Sequence, residues 1–209
     1  MKTRQTEKKT IDQLTEEPEV SVPDKTHNID DLTDGSPLAI LAFKEERMLE
    51  LWKKRVAGWE YIRSYPDTGY SGKTGPQLKE GDLQSPEGEY PVEYLNPNSS
   101  YHLSMKINYP NEFDKEMAAA DGRTGLGFDI FIHGSNQTVG CIPIGNKNIE
   151  ELYNIVEKNG YQQTQILIAP RDFREGKSAP VIEGIEWEDE LYETLSERLH
   201  DFPKESPSR

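Results

Sequence analysis

The sequence predicts a mainly β domain with short helices, an α+β chain, and three observations carry that expectation. Runs rich in branched and aromatic residues recur, among them "GWEYIRSYP", "FDIFI" and "TQILIAP", and such runs favour strands. Between Ser71 and Ser100 the chain is crowded with Gly, Pro, Asn and Ser, the composition of turns linking short extended pieces. Helical patterning is confined to three short stretches in the second half. With 209 residues, 33% of them hydrophobic, the chain can bury one ordinary core but hardly two. One domain of about 130 to 170 residues with loose ends is therefore expected.

From the N-terminus, residues 1–36 hold scattered aliphatics and no aromatic. That is too little apolar surface to offset the entropy of ordering them, so this tail is expected to be disordered and dispensable for folding. In "PLAILAFKEERMLELWKKRVAGWEYIRSYP", residues 37–66, propensity alone would draw a helix through Lys44 to Arg55. Strands broken at "KEER" and "VAGW" are preferred, because "GWEYIRSYP" alternates like a strand and needs partners. The "SGKT" beginning at Ser71 invites a phosphate-loop reading, which fails because the first glycine of that motif would fall at Asp67.

"NEFDKEMAAA", beginning at Asn111, has a cap followed by helix formers. "FDIFI", Phe128 to Ile132, alternates and is expected to be a buried strand delivering His133 at its end. In "NIEELYNIVEKNG" Asn148 can cap with Glu151, Ile149, Leu152, Tyr153 and Val156 form one apolar face, and Gly160 supplies the stop. "TQILIAP", residues 164–170, reads as a strand. Trp187, Leu191, Leu195 and Leu199 recur every four residues, the stripe of a helix that docks on the domain. The last residues, "DFPKESPSR", resemble the first in composition.

A net charge of -14 without a basic block repels phosphate backbones and argues against a nucleic-acid partner. No apolar run approaches the roughly 18 residues that span a bilayer, and the N-terminus lacks the apolar core of a signal peptide. A cytoplasmic protein, or one whose leader was removed, is expected. The single cysteine cannot form an internal disulfide.

That cysteine lies in "HGSNQTVGC", His133 to Cys141. A cysteine attacks carbonyls as a thiolate, so it needs a neighbouring base or cation and backbone donors for the oxygen of the tetrahedral intermediate. His133, ending a strand, can be the base. Gly140 leaves room for substrate and lets N–H groups near residues 140 and 141 converge. Such a pairing predicts that Cys141 alkylates faster than an ordinary thiol below pH 7. The competing structural readings are a small buried hydrophobe beside a satisfied core histidine, or a zinc site, for which third and fourth ligands at suitable spacing are missing.

The stretch "IHGSNQTVGCI" resembles the active-site signature of the L,D-transpeptidase catalytic domain (YkuD) family, closest to its YafK-like murein transpeptidase branch. "GPQLKEGDLQSPEGEYPV", "LNPNSSYHLSMKINYPN", "GRTG" and "CIPIGNKNIEELY" resemble that branch in the same order, so the likeness covers roughly residues 37–172. It implies a mostly β sandwich or barrel with short helices and a cysteine nucleophile acting on peptidoglycan stem peptides. Carried over, Cys141 is the nucleophile, His133 its base, Gly134 the residue whose carbonyl orients the imidazole, and Gly140 with Cys141 the oxyanion region. Thr138 stands where serine is usual. A second histidine before Gly-Cys and an arginine after it, common in the family, are replaced by Val139 and by Ile142-Pro143.

That departure leaves the substrate's carboxylates without a holder, for which Arg123, Tyr101, His102 and Thr138 are candidates. Arg123 could equally be a surface cation and His102 a structural hydrogen-bonding residue. The resemblance implies no cofactor and no metal, a periplasmic or extracytoplasmic location, and an envelope lipoprotein as a further candidate partner. The expected organisation is a tail (1–36), a catalytic domain (37–172), an extension with a docking helix (173–200) and a tail (201–209). Hydrolysis by an L,D-carboxypeptidase or amidase, a cytoplasmic cysteine hydrolase and a non-catalytic wall-binding module are the alternatives.

Overall fold

A computed structural model describes residues 27–204. Its strands are Leu38–Phe43 (β1), Met48–Arg55 (β2), Gly58–Pro66 (β3), Gly88–Ser99 (β4), His102–Ile107 (β5), Phe131–His133 (β6), Ile142–Pro143 (β7) and Thr164–Ala169 (β8). The helices are Ile29–Leu32 (α1), Glu112–Ala120 (α2), Asn146–Asn159 (α3) and Glu188–Leu199 (α4).

Every residue of β1 is buried, because it lies between β2, antiparallel, and β8, parallel, with both faces covered. A strand so placed reads as a continuous apolar run. Its side chains alternate between two cores. Leu38, Ile40 and Ala42 join Ile149, Leu152 and Val156 of α3, whereas Ala39, Leu41 and Phe43 join Leu191, Leu195 and Leu199 of α4. The helical stripe of the sequence thus covers one face of the sheet. The preference for strands over a helix in residues 37–66 matches the structure, with turns at residues 44–47 and 56–57.

The strand order is β3-β2-β1-β8-β4-β5-β6-β7. The first residues of β4 pair with β8 and its remainder with β5, so one strand joins the two halves of a continuous mixed sheet. The expected mainly β fold with short helices is present. The sheet is not closed into a barrel: β3 and β7 are its edges, and β7, two residues long, offers little ladder to pair across.

Four local expectations need correction. The strand expected over "FDIFI" covers only Phe131–His133, because Asp129 takes a left-handed backbone (φ 62) that interrupts the pleat. α3 starts at Asn146 with Gly145 as its N-cap. Asn148 instead donates from Nδ2 to the Ile144 carbonyl, and Glu151 binds Arg63 and Tyr65.

The tail expected over 1–36 is not loose at its end, although residues 1–26 lie outside the described residues. Leu32 is buried, Asn159 accepts from Gly35 N and donates to Ser36 O, and the buried Lys53 reaches Asp34 and the Leu32 carbonyl. Polar anchoring, which composition does not reveal, supplies what apolar area lacks. Phe202, placed in the C-terminal tail by composition, is buried in the α4 core. α2 begins as expected, with a capping box between Asn111 and Asp114.

Candidate active site

β6 ends at His133, and β7 lies beside it because the Ile144 N–H donates to the His133 carbonyl. The imidazole is fixed from two sides. Nδ1 contacts the Gly134 carbonyl, and the Tyr101 ring lies 4.7 Å from the imidazole centroid. A carbonyl only accepts, so Nδ1 carries the proton and the lone pair is on Nε2. Burial pushes the His133 pKa below the usual imidazole range, although the Gly134 carbonyl pulls it back up. The ring is therefore neutral at neutral pH and able to take a proton.

The loop that follows is held by polar bonds rather than apolar packing. Gly134 comes so close to its neighbours that a Cβ there would lie 2.7 Å from both Asn146 Oδ1 and the Tyr101 carbonyl. Asn146 Oδ1 accepts from the Ser135 N–H at 2.8 Å. Thr138 Oγ1 donates to the Cys141 carbonyl at 2.6 Å. Gly140 has a φ of 96, and a Cβ there would meet the Gln84 carbonyl at 2.8 Å, so only glycine fits.

Cys141 and His133 line one cleft of about 490 Å³, together with Tyr101, Gln137, Thr138 and Asp129. In this state the thiol donates to the Asp129 carbonyl at 3.6 Å. Among the described residues no hydrogen bond joins Cys141 Sγ to His133. Burial pushes the thiol pKa up; the Phe131 N–H opposes the shift and the Asp129 charge adds to it. Both shifts run against the activated thiolate expected from the sequence: they favour the neutral thiol and the neutral imidazole in the shared cleft. The second expectation to change concerns the oxyanion region, since the Gly140 N–H is already donated to Ser71 Oγ at 2.8 Å.

Of the four candidate substrate-binding residues, Tyr101 and Thr138 line the cleft and the others do not. Arg123 binds Asp121, donates to the Leu78 carbonyl and covers the Trp187 ring. His102 places Nε2 2.6 Å from Glu150 Oε1. Asp129 and Ser71 escaped the sequence reading. Asp129 had a signal, because the alternation of "FDIFIH" puts it on the same face as Phe131 and His133, which also line the cleft. Ser71 had none, since a turn-rich loop gives no hint of where it folds back.

The family model of the L,D-transpeptidase catalytic domain (YkuD) matches residues 37–181. The chain belongs to the L,D-transpeptidase catalytic domain family. A relative, YafK of Escherichia coli (strain K12), provisionally named an L,D-transpeptidase, is 38% identical over 124 residues, covering 58% of this chain and 48% of that protein. This L,D-transpeptidase domain chain therefore spans about half the length of the curated relatives it matches.

Two solved structures share the fold. The helical cell shape determining protein Pgp2 of Campylobacter jejuni has a TM-score of 0.52 and 21% identity, covering 81% of this chain and 60% of that one. Bd1075 of Bdellovibrio bacteriovorus has a TM-score of 0.50 and 24% identity, covering 79% and 56%. Among the described residues of the L,D-transpeptidase domain, no helix is long and apolar enough to cross a membrane.

Proposed function

We propose that this L,D-transpeptidase domain is a cysteine acyltransferase of the bacterial envelope that acts on peptidoglycan stem peptides through a Cys141 thioester. The observation that carries the reading is the shared cleft of Cys141 and His133, with the histidine neutral and its Nδ1–H tied to Gly134. The thiol turns from the Asp129 carbonyl to Nε2. As the sulfur attacks the amide carbonyl, the proton passes to Nε2, the C–N bond breaks, and Nε2 returns that proton to the leaving amine. A second amine or water then resolves the thioester, giving transfer or hydrolysis. The Cys141 N–H serves the oxyanion, and Gly140 joins it when substrate displaces Ser71. Looser hydrogen bonding in the free protein is usual for such sites.

Mass spectrometry of the protein mixed with tetrapeptide-containing muropeptides tests the proposal. An acyl adduct on Cys141 with consumed tetrapeptide is expected, and the products separate transfer from hydrolysis. Binding without an adduct would replace this reading with the wall-binding module.

A further inference from the structure

We propose that Asp129 is the cation reader of the cleft: its carboxylate receives the free ammonium of the diamino-acid residue in a stem peptide. This rests on the stem-peptide reading of the cleft and extends it by naming the chemical group that is recognised.

Of the twelve residues that line the cleft, Asp129 alone carries a formal charge once His133 is neutral. No lysine or arginine lines it, so a substrate carboxylate finds no counter-ion there, whereas an ammonium finds one. The Asp129 side chain is 51% exposed although Lys106 Nζ lies 3.0 Å from Oδ1. Lys106 is shared, with Glu93 Oε2 at 3.3 Å, and its ammonium also lies over the Tyr94 ring. One cation between two carboxylates leaves one net negative charge shared by Asp129 and Glu93, and Asp129 is the member of the trio on the cleft wall.

The same residue's carbonyl accepts the thiol of Cys141. A cation drawn to this carboxylate is therefore brought next to the attacking sulfur. Aspartate is among the few residues that adopt a left-handed backbone at little cost, so residue 129 can turn its carbonyl to the thiol and still carry a charge.

Charge-selective thiol modification measures the field at Cys141 without any peptide. The rates with cationic aminoethyl methanethiosulfonate and anionic sulfonatoethyl methanethiosulfonate are compared, each relative to free cysteine. Their ratio cancels the thiolate fraction, which Asp129 also affects. The wild-type ratio should favour the cation, and Asp129→Asn, which tolerates the same backbone, should lower it about tenfold. Lys106→Met should raise it by releasing the Asp129 charge. An unchanged ratio in Asp129→Asn overturns the proposal. If that variant does not fold, an unchanged or lower ratio in Lys106→Met does so instead.

Stem tetrapeptides with the side-chain amine free or N-acetylated then identify the source of the ammonium. Acylation of Cys141 that weakens on acetylation in wild type but not in Asp129→Asn assigns it to the donor strand. Acetylation also removes the amine that would resolve the thioester, so the acceptor is read with free-amine peptides alone. A loss confined to transfer in Asp129→Asn assigns the ammonium to the acceptor, and indifference of both steps overturns the proposal. A shifted reagent ratio in a protein that no stem peptide acylates would keep the cation site and reject the stem-peptide reading.

Discussion

In the β3-β2-β1-β8 half of the sheet, β1 pairs through six residues with each neighbour, whereas across the β4-β5 junction β6 has three residues and β7 two. The first half is held by burial, with Ile40, Leu41, Leu51 and Ile166 fully enclosed. Around the second, His102, Asp129 and Ser135 adopt left-handed backbones, and Asn146, Thr138 and Ser71 hold the loop by single hydrogen bonds. The buried half keeps its ladder with a single register shift, between Leu51 and Trp52 against β3, whereas converging a thiol, an imidazole and backbone donors requires several interruptions. The domain separates the two demands, a regular scaffold supporting an irregular site.

The strongest way to break this comparison is in the irregular half. Cys141→Ala should remove turnover, by about 10³-fold or more, while the thermal midpoint stays nearly unchanged, because a small side chain is lost from a half-open site. Cys141→Ser should also lose activity by orders of magnitude, a hydroxyl being far less acidic. Adding His133→Ala to either should cost little more, since both residues serve one step. Muropeptide turnover surviving in Cys141→Ala would refute the assigned nucleophile.

The regular half should respond in the opposite sense. Ile166→Ala, at a position 0% exposed in the α3 core, should cost about 2–5 kcal/mol in denaturant unfolding. Acylation by the fraction still folded should be unchanged. A large loss of acylation in a fully folded Ile166→Ala protein would mean that the two halves are coupled.

Residues 27–36 sharpen the boundary of the scaffold. A chain starting at Pro37 should lose about 2 kcal/mol relative to one starting at His27, because removing the partners of a buried cation costs a few kcal/mol, offset here by the water that reaches it. Lys53, 0% exposed and paired with Asp34, is that cation. Equal melting temperatures would restore the composition-based view for residues 27–36.

What was legible in the sequence follows the same division. Burial on a helix has a period, so the α4 stripe and the α3 face could be read directly. The strands of residues 37–66 were instead read from the alternation of residue types in "GWEYIRSYP", since β1 is buried at every position. The site was legible only as a motif: His133 and Cys141 share a cleft, with Gly134 beside the ring. Its electrostatics were not, because the thiol's surroundings come from Asp129 and Phe131, ten or more residues upstream. Arg123 was misplaced for a related reason. Charge type is visible in sequence, but the partners that claim it, Asp121 and Trp187, are not.

The smallest expected effect concerns those electrostatics. A base-activated thiolate would alkylate quickly below pH 7 and slow down in His133→Ala. The structure predicts otherwise. With the thiol raised, mainly by burial, iodoacetamide should label Cys141 more slowly than a free thiol at pH 7, with the rise in rate coming above the reference of about 8.5. With the imidazole lowered, also mainly by burial, the acid limb of turnover should lie below about 6.5. The sign follows from the states required: protonation of His133 removes the base, and a folded-state pKa below the reference delays that loss to lower pH. Between the two limbs, thiol and imidazole are both neutral and turnover should be flat. His133→Ala should shift the alkylation profile by less than about one pH unit, a difference worth under ~1.4 kcal/mol. A wild-type labelling midpoint near pH 6 that His133→Ala moves upward would establish a thiolate–imidazolium pair, and the separation between a neutral resting site and its activated form would be lost.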